Sequence, residues 1–129
     1  MPLLKKLLLF IKLFFLRKKF EKIFSPETSS IKNHSIPSSG HCAVVALFLH
    51  KKFGGQLIST KINNTSHWFN RINGYDIDLT GDQFGFSKIR IKKENKLYHN
   101  IRIRFMDEIN EETKKRFELF KGKYIKLFG

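Results

Sequence analysis

A chain of 129 residues has the length of one domain, and 41% hydrophobic residues with 14 Phe supply enough apolar surface for a core, which excludes wholesale disorder. A single cysteine excludes an internal disulfide, so nothing asks for an oxidising compartment and a cytoplasmic setting is expected. The formal net charge of +14 gathers at the two ends, with seven Lys/Arg against Glu21 in residues 1–24, five against four acids in 25–87 and thirteen against six in 88–129.

Residues 3–24 contain no Pro or Gly and read as one helix. Lys12 and the Arg17-Lys18-Lys19 cluster interrupt the roughly 20 apolar residues that a membrane span needs, and no small-residue cleavage site follows, so neither a span nor a signal peptide is expected. On a helical wheel Leu4, Leu7, Leu8, Ile11, Phe14 and Phe15 share a broad face, while Leu9, Leu13 and Leu16 lie opposite. A helix this cationic and this apolar fits either a docked N-terminal helix or an interfacial, membrane-peripheral anchor. The division expected is a basic helix over 1–24 and a domain over 25–129, forming a single domain together. Basic ends make an anionic membrane surface or nucleic acid candidate partners, although no nucleic-acid motif accompanies the charge and solvated lysines need no partner.

Ser25–Gly40 carries the breakers Ser25-Pro26, Ile36-Pro37 and Ser38-Ser39-Gly40 and reads as a loop. The following segment, apolar on every side from Ala43 to Leu49, predicts a buried central helix, capped by Ser38 or Ser39 and ended by Gly54-Gly55. Gln56–Ile62 suggests a strand. Residues 66–80 form the clearest hairpin signal, two strands around Asn73-Gly74. A further strand pair is expected from 87–92 and 97–104, and a closing helix from Asn110 to Leu127, with Glu111 and Glu112 in its first turn.

The chemistry-bearing residues are few. Cys42 falls at the start of the central helix, where unpaired N–H groups and the helix dipole favour a thiolate, the nucleophilic form; a lone Cys in an apolar helix is otherwise a small core residue. A two-residue turn at Asn73-Gly74 places Ile72 opposite Tyr75 and Phe69 opposite Asp78. Trp68, Asn70, Ile72, Tyr75, Ile77 and Leu79 then make the core face. His67, Phe69, Arg71, Asp76, Asp78 and Thr80 make the other, and His67 and Asp78 become diagonal neighbours. A carboxylate that orients an imidazole, and an imidazole that activates a thiol, is the arrangement nucleophilic acyl chemistry requires. The alternative is a solvated hairpin face, with Asp76 in a surface ion pair to Arg71. Asp82 competes with Asp78 but reads better as a cap on the next turn. A zinc site from His34, His41, Cys42 and His50 matches no familiar spacing, and no phosphate-binding glycine loop or other cofactor motif is present.

Ser25–Ser30, Gly40-His41-Cys42-Ala43-Val44, Phe53-Gly54-Gly55, Ser66–Arg71, Asp78–Phe84 and Thr113–Lys121, in this order over roughly residues 20–122, resemble the YunG family of small bacterial proteins. The resemblance implies an α+β, papain-like (NlpC/P60-like) fold with Cys42 as nucleophile, His67 as base and Asp78 as the orienting carboxylate. The family pattern carries Gln immediately before the Cys, where this chain has His41; either His41 substitutes as an oxyanion donor or the oxyanion hole is weakened. The function expected is a cysteine-dependent hydrolase or acyl transferase acting on an amide or related acyl bond. A non-catalytic binding module using the basic ends is the alternative.

Overall fold

A computed structural model describes residues 2–31 and 35–129. The chain order is α1 (Pro2–Glu21), α2 (Cys42–Phe53), β1 (Gln56–Ile62), β2 (Thr65–Ile72), β3 (Tyr75–Asp78), β4 (Arg90–Lys93), β5 (Arg102–Arg104) and α3 (Glu111–Phe128), with single 3₁₀ turns at Gly81–Phe84 and Met106–Glu108. The architecture is α+β: three helices and one five-stranded sheet in the order β4-β3-β2-β1-β5, with every neighbouring pair antiparallel.

Two tight turns set the sheet's register. Asn63-Asn64 and Asn73-Gly74 both hold two consecutive residues at positive φ, the geometry whose twist matches the flanking strands. The second turn pairs Ile72 with Tyr75, Arg71 with Asp76 and Asn70 with Ile77, the register expected from Asn73-Gly74. The expected pairing of 87–92 with 97–104 is not found. β4 lies on β3 at one edge and β5 lies on β1 at the other, each satisfying its backbone on a strand already held in the sheet by the central hairpins.

The main core lies between the helices and one face of the sheet. Leu13, Leu16 and Phe20 of α1, Val44, Val45 and Leu47 of α2, and Phe117 and Phe120 of α3 meet Leu57, Ile72, Ile77 and Leu79 there. Thus, of the α1 residues expected to lie opposite the apolar face, Leu13 and Leu16 are buried and Leu9 half-buried, and Leu4, Leu7, Leu8, Ile11, Phe14 and Phe15 are exposed. The reason is visible at the helix's C-terminal end, where Phe20 packs on Phe48 and Phe120 and the Arg17 guanidinium grips Asp82. These contacts fix the helix's rotation, and the rest of its wheel follows.

The sheet's second face is buried too. Ile58, Phe69 and Leu97 form a smaller cluster with Tyr98 and Ile101 against it. The Arg71–Asp76 pair, expected on the surface, is covered: Asp76 is fully buried, and Asn95 bonds both partners, through its side chain to Arg71 at 2.9 Å and through its N–H to Asp76 at 2.9 Å. The chain between β3 and β5 therefore roofs what the hairpin alone would leave wet.

Candidate active site

Cys42 is the first residue of α2, half-buried, with its thiol free. His41 is the N-cap, and its side chain makes no cap bond; neither Ser38 nor Ser39 caps the helix, since the Ser38 hydroxyl is taken by Asp82 at 2.6 Å. Among the described residues, the first-turn N–H groups, which no helix can pair internally, have no side-chain cap beside the thiol. The approach to the helix is tightly held. Gly40 sits at φ +76, and a Cβ there would come within 2.1 Å of Ser29 Oγ, the hydroxyl that bonds the carbonyls of Ile31 and Ser39. Glycine is the residue that lets the loop close this far over Ser29.

β2 delivers His67. Asn70, three residues on, donates to the Ala46 carbonyl at 2.8 Å and ties the strand to α2 one turn after Cys42. The His67 ring is fully buried and walled edge-on by Phe84 and Tyr98, at centroid distances of 5.0 and 5.7 Å. Its Nε2 donates to Asp78 Oδ2 at 2.7 Å, the diagonal pairing expected from the hairpin. Nδ1 is buried and forms no hydrogen bond of ordinary geometry, while the Cys42 side chain lies near enough to strengthen the imidazole's hold on its proton. The thiol thus lies beside the imidazole without closing a hydrogen bond of ordinary geometry to it.

Asp78 is fully buried and richly bonded. Besides His67, its carboxylate accepts the Thr80 N–H at 2.9 Å, the Thr80 hydroxyl at 3.4 Å and the Tyr98 hydroxyl. Burial alone would raise its pKa; the His67 hydrogen bond and charge, then Tyr98 and the Thr80 N–H, outweigh this and hold it below the ordinary carboxylate range. For His67 burial works against the charge, but the Asp78 hydrogen bond and charge, with a smaller contribution from Cys42, leave its pKa pushed up to about 10. Tyr98 is held above the ordinary phenol range by burial and by the Asp78 charge.

The structure brings Cys42, His67 and Asp78 together, and it places His41 and Asp82 elsewhere. The His41 ring is fully buried against Phe24, with Nε2 2.7 Å from Thr28 Oγ1 and Nδ1 3.1 Å from the Ser39 carbonyl. With both nitrogens engaged, the imidazole supports the loop. Asp82 is a tether: both of its oxygens meet Arg17 at 3.0 Å, and one also takes Ser38. Burial raises its pKa, yet Arg17 and Ser38 hold it below the ordinary range. Of the zinc alternative, His34 lies outside the described residues, and among the described residues no group of three or more His, Cys, Asp or Glu is arranged to hold a metal ion.

The sequence pattern does not point to Tyr98. It stands in a polar stretch without periodicity, and its one signal is chemical: a tyrosine whose ring is covered must find an acceptor for its hydroxyl.

The YunG protein family model matches residues 12–128. The chain belongs to the YunG family. It is similar to the uncharacterised protein YunG of Bacillus subtilis (strain 168), at 38% identity over 61 residues that make up 47% of this chain and 53% of that protein, so the match spans about half the length of the curated relative. No solved structure matches. Among the described residues no helix is long and apolar enough to cross a membrane.

Proposed function

We propose that this YunG family chain is a cysteine-dependent hydrolase or acyl transferase acting on an amide or related acyl bond, built on a papain-like (NlpC/P60-like) arrangement. The observation that carries the reading is the buried His67 Nε2–Asp78 Oδ2 bond of 2.7 Å, with the second ring nitrogen left for the half-buried thiol of Cys42. The order of parts supports the fold reading: a nucleophile at a helix start, followed by antiparallel strands that bring in the base and then its carboxylate. A working free thiol goes with a cytoplasmic site of action.

In this mechanism the Cys42 sulfur attacks the substrate carbonyl carbon as a thiolate, with the proton on His67. An imidazolium has two N–H donors. Asp78 accepts one, and the sulfur is the acceptor that accounts for the other. The tetrahedral oxyanion is held by the first-turn N–H groups of α2, not by the His41 ring, whose nitrogens are spent on Thr28 and Ser39. Nδ1–H then protonates the leaving amine as the C–N bond breaks, leaving a thioester on Cys42. Water, or an acceptor nucleophile, gives its proton to Nδ1 and attacks the thioester, and the thiolate leaves with the imidazolium restored.

Iodoacetamide labelling followed by mass spectrometry tests this. Cys42 in the wild-type protein is expected to alkylate at pH 7 at least tenfold faster than in the His67→Ala variant, with Asp78→Asn between them. Equal rates in all three proteins, with the fold intact by circular dichroism, would assign Cys42 to the inert class and the His67–Asp78 pair to structure alone.

A further inference from the structure

α1 has two apolar faces, and the fold uses one. Leu13, Leu16 and Phe20 enter the core, whereas Leu4, Leu7, Leu8, Ile11, Phe14 and Phe15 remain 39 to 59% exposed. At 100° per residue these six fall within an arc of about 120°, an unbroken apolar strip on the side away from the protein. Charge lies along one side. Leu3 and Phe10, 78 and 42% exposed, widen the strip at one edge, Lys5, Lys12 and Lys19 flank the other, and Lys18 closes the C-terminal end. On the second flank two shallow grooves continue the cationic border, lined by Lys5 and Lys12 and by Lys12, Lys19 and Lys52. The acid nearest the strip, Glu21, is taken by Arg17 and Lys88.

An apolar strip beside a row of lysines has one well-matched partner. A second copy of the chain would bury the strip but would set the two lysine rows against each other with no free carboxylate between them. Nucleic acid would satisfy the lysines and leave the leucines and phenylalanines in contact with phosphate. An anionic bilayer surface takes the strip into the acyl boundary and the lysines to the headgroups.

We propose that the outer face of α1 is an in-plane docking face for an anionic lipid bilayer, holding the domain at the membrane surface while the opposite face of the same helix stays in the core. The proposal does not depend on the chemistry at Cys42.

Sedimentation of the full-length protein with phosphatidylcholine vesicles, with and without 30% phosphatidylglycerol, tests it, with circular dichroism as the control for folding. Wild type is expected to bind the anionic vesicles at least tenfold more tightly than the neutral ones, and to release as salt rises. Leu8→Gln/Phe15→Gln, which changes only exposed side chains, is expected to lose binding tenfold or more, and Lys5→Gln/Lys12→Gln to lose about fivefold per lysine. Several results overturn the proposal: no wild-type binding to anionic vesicles, equal binding by wild type and Leu8→Gln/Phe15→Gln, a dimer in light scattering that this variant abolishes while vesicles bind neither, or tighter binding to a duplex oligonucleotide than to anionic vesicles.

Discussion

Tyr98 donates its hydroxyl to Asp78 Oδ2, the same oxygen that accepts the His67 Nε2 proton. The tyrosine comes from the segment that roofs the second face of the sheet, so the carboxylate is positioned by its own hairpin and by a residue twenty positions later. Arg90 in turn donates to the Tyr98 oxygen at 3.0 Å and lies over its ring. Removing the hydroxyl takes a donor from a buried charged acceptor, a loss worth roughly 1.5 to 3 kcal/mol. Tyr98→Phe is therefore expected to lower stability in urea unfolding by about that amount and to keep the secondary structure. A change under about 0.5 kcal/mol would mean that the bond is not made in solution.

Asp78 is the carboxylate that sets the protonation of His67. Asp76 is committed to Arg71 and the Asn95 N–H, and Asp82 to Arg17 and Ser38. An NMR titration of His67 in Asp76→Asn, Asp78→Asn and Asp82→Asn should show the midpoint falling by about 1 to 3 units in the Asp78 variant alone, because only there does the imidazolium lose its neighbouring charge. A larger displacement from either of the other variants would break both the register and the assignment.

Stability should fall with rising pH above neutrality. His67 has its pKa raised to about 10 in the folded protein from an ordinary 6.5, so the folded state holds its proton more tightly than the unfolded chain. The contribution is fully present below about 6.5 and is lost as pH rises through about 10. Within that window each pH unit removes about 1.4 kcal/mol for one proton released on unfolding. Asp78, lowered in the folded state, gives the mirror case, present above its ordinary 3.8 and lost as pH falls through its depressed value. Urea midpoints from pH 6 to 10 check the first limb. A flat profile in wild type, or the same slope in Asp78→Asn, would contradict it.

How much of this could be read from residues alone follows from how local each signal is. Asn73-Gly74 dictates a two-residue turn, and the turn dictates every pairing up to the His67–Asp78 diagonal, so the heart of the site was legible. The closing helix was legible from Asn110, whose side chain accepts the Thr113 N–H at 2.8 Å. The orientation of α1 was not, because a helix apolar on both sides does not announce which side is buried; Phe20 and Arg17 decide it through partners far along the chain. Nor were β4 and β5 assignable. Strands of four and three residues carry no mark of their neighbour, and each pairs with a different edge of the sheet. The burial of the hairpin's polar face followed from the same gap, since its roof lies in the segment between those two strands.

The Arg17–Asp82 pair should behave as a buried tether whose halves cannot be removed singly. Arg17 is 3% exposed; it donates to the Leu79 carbonyl and makes two bonds of 3.0 Å to Asp82, in the turn that follows the strand carrying Asp78. Replacing Asp82 by Ala strands most of a buried guanidinium, which costs about 3 to 5 kcal/mol, whereas replacing both members by apolar residues of similar volume is often close to neutral. Asp82→Ala is thus expected to be far less stable than Arg17→Met/Asp82→Leu, and the His67 titration should be unmoved in the double variant because neither residue touches the His67–Asp78 bond. Thermal unfolding of Arg17→Met, Asp82→Leu and the double variant measures the coupling. Additive losses would show that the two side chains act independently, and that α1 is held to the sheet by its apolar contacts alone.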